Sequence, residues 1–275
     1  MFQASISASK IQYKKQSSTD STLEGAQLMW IHKISPVDTF RLMAQTNKTE
    51  FESDPSLDYK LETVSASYSV NLNHLSYGLS VGQNKATQDK NNDSFSRPNY
   101  NLNVNYVSPL YTAKLTFAQR ISNSSAGDGN SEGFIDTSLD SINAGLDLIN
   151  IKSGGLLFST SIICERCTLT AALENNREDY KTLNEDSDLR KVSTSFRYIV
   201  GRNGALQLSY NELKRTFDTQ AERDYLRKEY EISYSHNYIK KVDMKLFARR
   251  NFNDSERLYN KYEENIVGLV VSYSL

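Results

Sequence analysis

Polar and apolar residues alternate along most of this chain. In the segment NYNLNVNY, residues 99–106, asparagine occupies every odd position, while Tyr100, Leu102, Val104 and Tyr106 occupy the even positions. Successive side chains of an extended strand point to opposite faces of the sheet. The segment therefore predicts a strand with one amide face and one apolar, aromatic face.

The same period of two recurs from end to end. Residues 63–72 hold the alternation through ten positions, and residues 75–82 resume it after a turn at Asn73 and His74, which predicts a hairpin. Further alternating segments are 111–118, 192–198, 206–211, 230–235 and 267–275. Because no segment shows a convincing helical period, the chain is predicted to be all-β.

The connections between these segments alternate in length. The short ones are 35–38, 71–74, 107–110, 164–167, 201–204 and 239–242, and the long, polar ones are 16–25, 52–59, 88–98, 121–138, 174–188 and 218–224. Such alternation distinguishes the two ends of one antiparallel sheet. Residues 139–164 are too long for one regular strand, and Gly154-Gly155 marks either a bulge or a turn. We interpret them as one bulged strand, which gives about fourteen strands, with sixteen as the alternative.

A meander of this size must split into a sandwich or close on itself. A soluble sandwich buries its apolar faces, whereas a membrane barrel shows them to lipid and turns its polar residues toward a wet lumen. The 17 tyrosines lie mainly on the apolar face and often near strand ends, as interfacial girdles do. We therefore predict an antiparallel up-and-down transmembrane β-barrel, with residues 1–275 as a single domain.

Composition and charge narrow the setting. Hydrophobic residues are only 38% of the chain, and the formal net charge of −1 gives no electrostatic reason to expect nucleic acid as a partner. The N-terminus lacks the apolar core of a signal peptide and begins with strand-like alternation. We expect a chain of the bacterial outer membrane whose signal peptide has been removed, in contact with membrane lipid and lipopolysaccharide.

The inward register of the predicted barrel holds several charged side chains among Ser, Thr and Asn. The predicted pore-lining residues are Lys33, Arg41, Lys114, Arg120, Arg197, Glu231, Asp243, Lys245 and Arg249. Cations outnumber anions in this set, which favours anionic solutes in a low-dielectric pore. The alternative is that these charges pair across neighbouring strands.

The chain offers few residues for chemistry. Cys164 and Cys167 have the C-x-x-C spacing, for which a disulfide bracing a tight turn is expected, with a free dithiol or a redox pair as alternatives. Ser80 stands in a G-x-S-x-G pattern but within a strand rather than at a sharp turn. His32 and His236 fall on the apolar register near strand ends, which favours interfacial packing. We therefore predict no enzymatic activity, no cofactor and no metal site.

The C-terminal residues 231–275 add a resemblance. The Tyr-rich strand, the short turn, Asn253-Asp254-Ser255, and Tyr262 with Asn265 before the final VSYSL are similar to the outer-membrane porin families associated with capsule and exopolysaccharide export. The final residue departs from the usual Phe of outer-membrane proteins, being Leu275. The resemblance covers roughly the last 90 residues. It implies a channel for polysaccharide secretion that works with periplasmic or inner-membrane export components.

Three functions remain open from the sequence. The first is a conduit for an exopolysaccharide or similar polar polymer through a Ser/Asn/Thr-rich, mildly cationic lumen. The second is a general diffusion porin for small polar solutes. The third is a structural barrel that anchors another outer-membrane or surface assembly.

Overall fold

Fourteen antiparallel strands make up one sheet in a computed structural model of the chain, and their order in the sheet follows their order in sequence. The structure describes residues 1–11, 20–52, 55, 58–89, 93–123, 148–181, 184–239, 242–255 and 261–273. The strands are β1 (Phe2–Ile11), β2 (Ser21–Lys33), β3 (Asp38–Phe51), β4 (Tyr59–Asn71), β5 (Leu75–Gln88), β6 (Ser94–Val107), β7 (Tyr111–Asn123), β8 (Leu148–Thr160), β9 (Cys167–Tyr180), β10 (Ser187–Val200), β11 (Gly204–Phe217), β12 (Tyr225–Ile239), β13 (Val242–Ser255) and β14 (Tyr262–Tyr273).

Helix contributes almost nothing to the described part of the chain. A single 3-10 turn at Ala221–Arg223 lies between β11 and β12. No helix among the described residues is long and apolar enough to cross a membrane. The predicted all-β class and the predicted strand number of fourteen are therefore confirmed.

Residues 139–164 differ in part from the prediction of one long bulged strand. Strand β8 spans Leu148–Thr160 and carries Gly154-Gly155 in its interior, so these glycines do not form a turn between two strands. Residues 139–147 lie outside the described residues. The predicted strand ends earlier than the pattern suggested, at Thr160, and the described residues contain fourteen strands rather than sixteen.

Short and long connections alternate along the sheet. The end with short turns, called the short-turn end below, holds the described connections 34–37, 72–74, 108–110, 161–166 and 201–203. The other end, called the long-loop end below, holds the connection 218–224 and the described residues 20, 52, 55, 58, 89, 93, 181, 184–186 and 261 of the other connections. The turn 201–203 begins with Gly201 at φ 66°, a left-handed conformation that favours glycine.

Carboxylates close two of the long connections. The Asp58 carboxylate accepts the backbone N–H of Phe51 at 2.8 Å, and the Asp224 carboxylate accepts the backbone N–H of Phe217 at 2.8 Å. In both cases the acceptor comes seven positions after the donor, at the start of the next strand. Each bond satisfies a backbone donor where the strand ladder stops.

The described chain consists of two compact units. The first unit comprises Met1–Asn103, Phe117–Lys152 and Arg177–Asp186, and the second comprises Val104–Thr116, Ser153–Asn176 and Ser187–Leu275. The described pairings run from β1 to β14 and do not include one that joins these two strands. That residues 1–275 form a single domain stays a prediction.

Candidate functional site

The candidate site is the face of the sheet that carries serine, threonine and asparagine, called the polar face below. In the first unit, Arg41 opposes Ser67, and Ser67 opposes Ser80, so these side chains share that face. In the second unit, Ser195 opposes Ser209, which opposes Glu231. The polar face therefore combines hydroxyl, amide and charged groups in both units.

Asparagines of the NYNLNVNY segment belong to the polar face. Asn99 donates to the Oδ1 atom of Asn84 at 3.1 Å, and the Thr63 hydroxyl donates to the same atom at 2.9 Å. Asn103 donates to Asn101 at 3.4 Å. Hydrogen bonds thus link amide and hydroxyl side chains of β4, β5 and β6 along one face.

The opposite face, called the apolar face below, presents large hydrophobic side chains outward. In the first unit, Trp30 opposes Leu42, and Leu42 opposes Ala66. In the second unit, Tyr234 opposes Leu246, which opposes Leu269. Exposed examples are Ile6 at 90%, Leu42 at 43%, Val64 at 63%, Leu246 at 53% and Val267 at 77% of their surface. Such continuous apolar exposure is typical of a surface that contacts lipid.

Aromatic side chains collect on the apolar face near the short-turn end. Trp30 stacks with His32 at a ring distance of 5.7 Å and meets Phe40 edge-on at 6.1 Å. Tyr234 stacks with His236 at 6.1 Å in the second unit. Both histidines therefore pack among aromatic rings, in the position where interfacial girdles of membrane barrels lie.

Three of the predicted pore-lining residues meet in one cluster of the second unit, called the charged cluster below. The Lys245 ammonium lies 2.7 Å from Glu231 Oε1, and the Arg249 guanidinium donates to Glu231 Oε2 at 2.6 Å through Nη2 and at 3.0 Å through Nε. The Glu231 side chain is only 7% exposed. Glu229 adds a second carboxylate, 3.6 Å from Arg249.

In the charged cluster the charges pair across neighbouring strands, and cations do not outnumber anions. Two carboxylates, Glu229 and Glu231, face the two cations Lys245 and Arg249, so the formal charges cancel. A buried carboxylate needs such partners, because an unpaired charge away from water is costly. The sheet register supplies them, since Glu231 directly opposes Arg249 and Ser235 opposes Lys245.

Other predicted pore-lining cations are more open. Lys33 in the first unit and Lys114 and Arg197 in the second are exposed, and none of them forms an ion pair with another described residue. Arg41 donates to the Ser69 hydroxyl at 3.4 Å. Asp243 accepts a hydrogen bond from Asn237 at 2.9 Å.

Arg120 does not join the side chains that pack on the polar face of the first unit. Its two neighbours along β7, Gln119 and Ile121, are 5% exposed, whereas Arg120 is exposed. Because side chains alternate along a strand, Arg120 points to the opposite side from these neighbours. That Arg120 lines the pore stays a prediction.

Sequence reasoning also missed a buried group at the long-loop end of the first unit, called the apolar cluster below. The apolar cluster consists of Phe51, Tyr59, Ala86, Ile121 and Leu148, with Leu61 and Phe95 packed against it. Its members come from the ends of β3, β4, β5, β7 and β8 that face the long loops. A signal was present in the sequence, because Phe51 continues the register of Arg41 and Asn47 on β3.

Cys164 and Cys167 are joined by a disulfide across the turn between β8 and β9, with Cα atoms 5.1 Å apart. Ser80 lies within β5, opposite Ser67. No group of three or more potential metal-ligating side chains occurs among the described residues.

Comparisons with known proteins reveal similarity in structure only. No protein-family model matches the chain, and no curated protein matches it. The solved structures that match include the trimer form of OmpT, an outer membrane protein of Vibrio cholerae, with 8% identity, a TM-score of 0.49, and coverage of 99% of this chain and 97% of that chain. The siderophore receptor PirA from Pseudomonas aeruginosa matches with 13% identity and a TM-score of 0.54, over 90% of this chain and 42% of that chain. An anion-selective porin from Comamonas acidovorans matches with 11% identity and a TM-score of 0.47, over 98% of both chains.

One prediction is corrected by these matches. Sequence analysis expected no enzymatic activity, but the matching structures, OmpT and PirA among them, are only 8% and 13% identical to this chain and show a shared fold, which does not exclude a reaction. The prediction that the chain is not an enzyme is therefore wrong as an inference from its fold. The described residues do not define a reaction that we could assign.

The fold and location agree with the sequence analysis. The fourteen-stranded antiparallel meander and its structural matches confirm the predicted class of outer-membrane up-and-down β-barrels. The matching proteins are bacterial outer-membrane proteins, consistent with the predicted outer-membrane location of this chain. The chain therefore has the fold of an outer-membrane β-barrel protein.

Proposed function

We propose that this chain is an outer-membrane channel in which the polar face lines a water-filled path and the apolar face contacts lipid. The observation that carries this proposal is the separation of the two faces. Hydroxyl and amide groups follow one face, as in Thr63, Asn84 and Asn99, while Leu42 and Val64 stand exposed on the other. A membrane channel needs this arrangement, with lipid outside and water inside.

The solute of the proposed channel is a polar polymer such as an exopolysaccharide. Hydroxyl and amide side chains exchange hydrogen bonds with sugar hydroxyls, and binding that is weak and repeated along a path permits passage. The resemblance of residues 231–275 to export porins supports the same cargo. In this proposal periplasmic or inner-membrane export components deliver the polymer, and lipopolysaccharide and membrane lipid surround the barrel.

Exposed cations on the two units favour anionic over neutral polymers. Lys33, Lys114 and Arg197 lack carboxylate partners among the described residues, whereas Lys245 and Arg249 are neutralised by Glu229 and Glu231. Unpaired cations beside a low-dielectric wall attract anions. The expected preference is modest, because the charged cluster contributes no net charge.

Single-channel conductance in a planar bilayer tests this function. We expect ion conductance that added oligosaccharides block, with uronic acid oligomers blocking at lower concentration than neutral oligomers of equal length. Conductance that no oligosaccharide blocks would favour a general diffusion porin. A folded protein without conductance under any condition would contradict a channel and favour a structural anchoring role.

A further inference from the structure

We propose that the apolar cluster is a hydrophobic barrier at the long-loop end of the polar face, which restricts the passage of water and polar solutes until it is displaced. This inference rests on the proposed channel function and assigns it a point of control. Sequence analysis predicted a lumen wall rich in Ser, Asn and Thr. In the first unit the structure interrupts that wall near the long loops with packed hydrocarbon, beyond which Gln88 accepts a hydrogen bond from Lys181 at 2.8 Å.

On three strands, the side chains of the polar face change from polar to apolar near the long-loop end. On β5 the face passes from Asn84 to Ala86, and on β7 it passes from Gln119 to Ile121. On β8, which runs in the opposite direction to β7, Leu148 precedes Asn150 by two positions. The polar side chains next to this change on β7 and β8 bind each other, since Gln119 donates to Asn150 at 3.0 Å.

Burial shows that the apolar cluster is packed rather than hydrated. The exposed fraction is 3% for Phe51, 8% for Tyr59, 0% for Ala86, 5% for Ile121 and 2% for Leu148. Water next to such hydrocarbon has few hydrogen-bond partners, and constrictions lined in this way gate channels by dewetting. Sugar hydroxyls face the same cost, because an apolar contact replaces none of their hydrogen bonds with water.

The amides beneath the apolar cluster are already occupied. Asn150 accepts from Gln119 and donates to the Asp179 carboxylate at 3.1 Å, and Lys152 binds the same carboxylate at 2.9 Å. Arg177 donates to the other Asp179 oxygen at 2.8 Å. This ordered network supports the apolar cluster from the polar side and keeps its side chains in place.

A matched pair of substitutions at Ile121 separates polarity from volume. Thr and Val have nearly the same shape, so Ile121→Thr and Ile121→Val remove a similar volume, but only Thr adds a hydroxyl. We expect Ile121→Val to conduct like the wild type and Ile121→Thr to raise the open conductance or open probability by about threefold or more, since wetting of the constriction removes the barrier. Equal conductance of all three proteins would overturn the barrier while leaving the channel intact.

Thiol labelling tests the barrier without relying on conductance. Both native cysteines are in the disulfide, so an introduced cysteine is the only free thiol. We expect a membrane-impermeant maleimide to react about tenfold more slowly with Ala86→Cys than with Ser67→Cys on the polar face, because a thiol buried in apolar surroundings is inert. Equal rates would overturn the barrier. Absence of conductance in every variant would contradict the proposed channel, and the labelling rates would still decide whether the apolar cluster excludes water.

Discussion

The apolar cluster of the first unit and the charged cluster of the second unit bury side chains on the polar face by opposite means. The Phe51 and Leu148 side chains are buried against other hydrocarbon. Glu231 is buried to a similar extent but depends on two cations, Lys245 and Arg249, at hydrogen-bond distance. The stabilisation from apolar burial scales with the buried area, so it decreases in proportion to the area lost. A buried charge, in contrast, is stable only while its charged partners remain in place.

The difference predicts how each region fails. Removing part of the apolar cluster leaves a cavity, and the cost grows with the lost volume. Removing one partner of the charged cluster leaves a charge without its counterion. Substitutions in either region should therefore lower the free energy of unfolding. Only the loss caused by a substitution in the charged cluster should depend on ionic strength.

The largest effect is expected for Phe51→Ala. Phe51 is 3% exposed, so its truncation should lower the free energy of unfolding by about 3–4 kcal/mol. The control Leu79→Ala, at a side chain 48% exposed on the apolar face, should cost about 1 kcal/mol. Urea unfolding in liposomes, followed by the fluorescence of the only tryptophan, Trp30, measures both. Equal losses would show that the apolar cluster is not packed as described.

A smaller loss is expected for Glu231→Gln. The amide cannot neutralise Lys245 and Arg249, and the free energy of unfolding should fall by about 2 kcal/mol, reduced from the full cost of a buried pair because both cations are partly exposed. Glu263→Gln removes the carboxylate that binds Arg250, in a pair with both side chains about half exposed. That control should change the free energy by less than about 0.5 kcal/mol. Similar losses in the two variants would contradict the buried geometry of Glu231.

Salt should produce the smallest effect and separate the two regions most cleanly. Raising NaCl from about 0.1 to about 1 M shortens the screening length from about 10 to about 3 Å. The difference in the free energy of unfolding between wild type and Glu231→Gln should shrink by about 0.5 kcal/mol, because Lys245 and Arg249 are partly exposed and open to screening while the carboxylate is not. The difference in the free energy of unfolding between wild type and Phe51→Ala should not decrease with salt. A decrease in the Phe51→Ala difference would show that charge contributes to the apolar cluster.

Much of the fold could be predicted because the period of two is regular and the connections alternate in length. That Ser67 and Ser80 lie on the polar face and Tyr234 and Leu246 on the apolar face follows directly from that alternation. Strand boundaries around Gly154-Gly155 were less predictable, because glycines permit a bulge, a turn or a plain strand interior.

The site was predictable in composition but not in contacts. Alternation predicted that Glu231, Lys245 and Arg249 share one face. Their contact in one cluster depends on the β12–β13 register, which alternation alone does not determine. The apolar cluster escaped notice because Phe51 and Ile121 look like ordinary strand ends until five strands are assembled.

Thiol scanning of NYNLNVNY, residues 99–106, tests most directly the claim that the polar face meets water and the apolar face meets lipid. Each residue is replaced singly by cysteine, and the protein in liposomes is treated with a membrane-impermeant maleimide. The account predicts labelling at the four asparagine positions and protection at Tyr100, Leu102, Val104 and Tyr106. Labelling at the even positions with protection at the odd ones would contradict it, because the apolar face would then be the one in water.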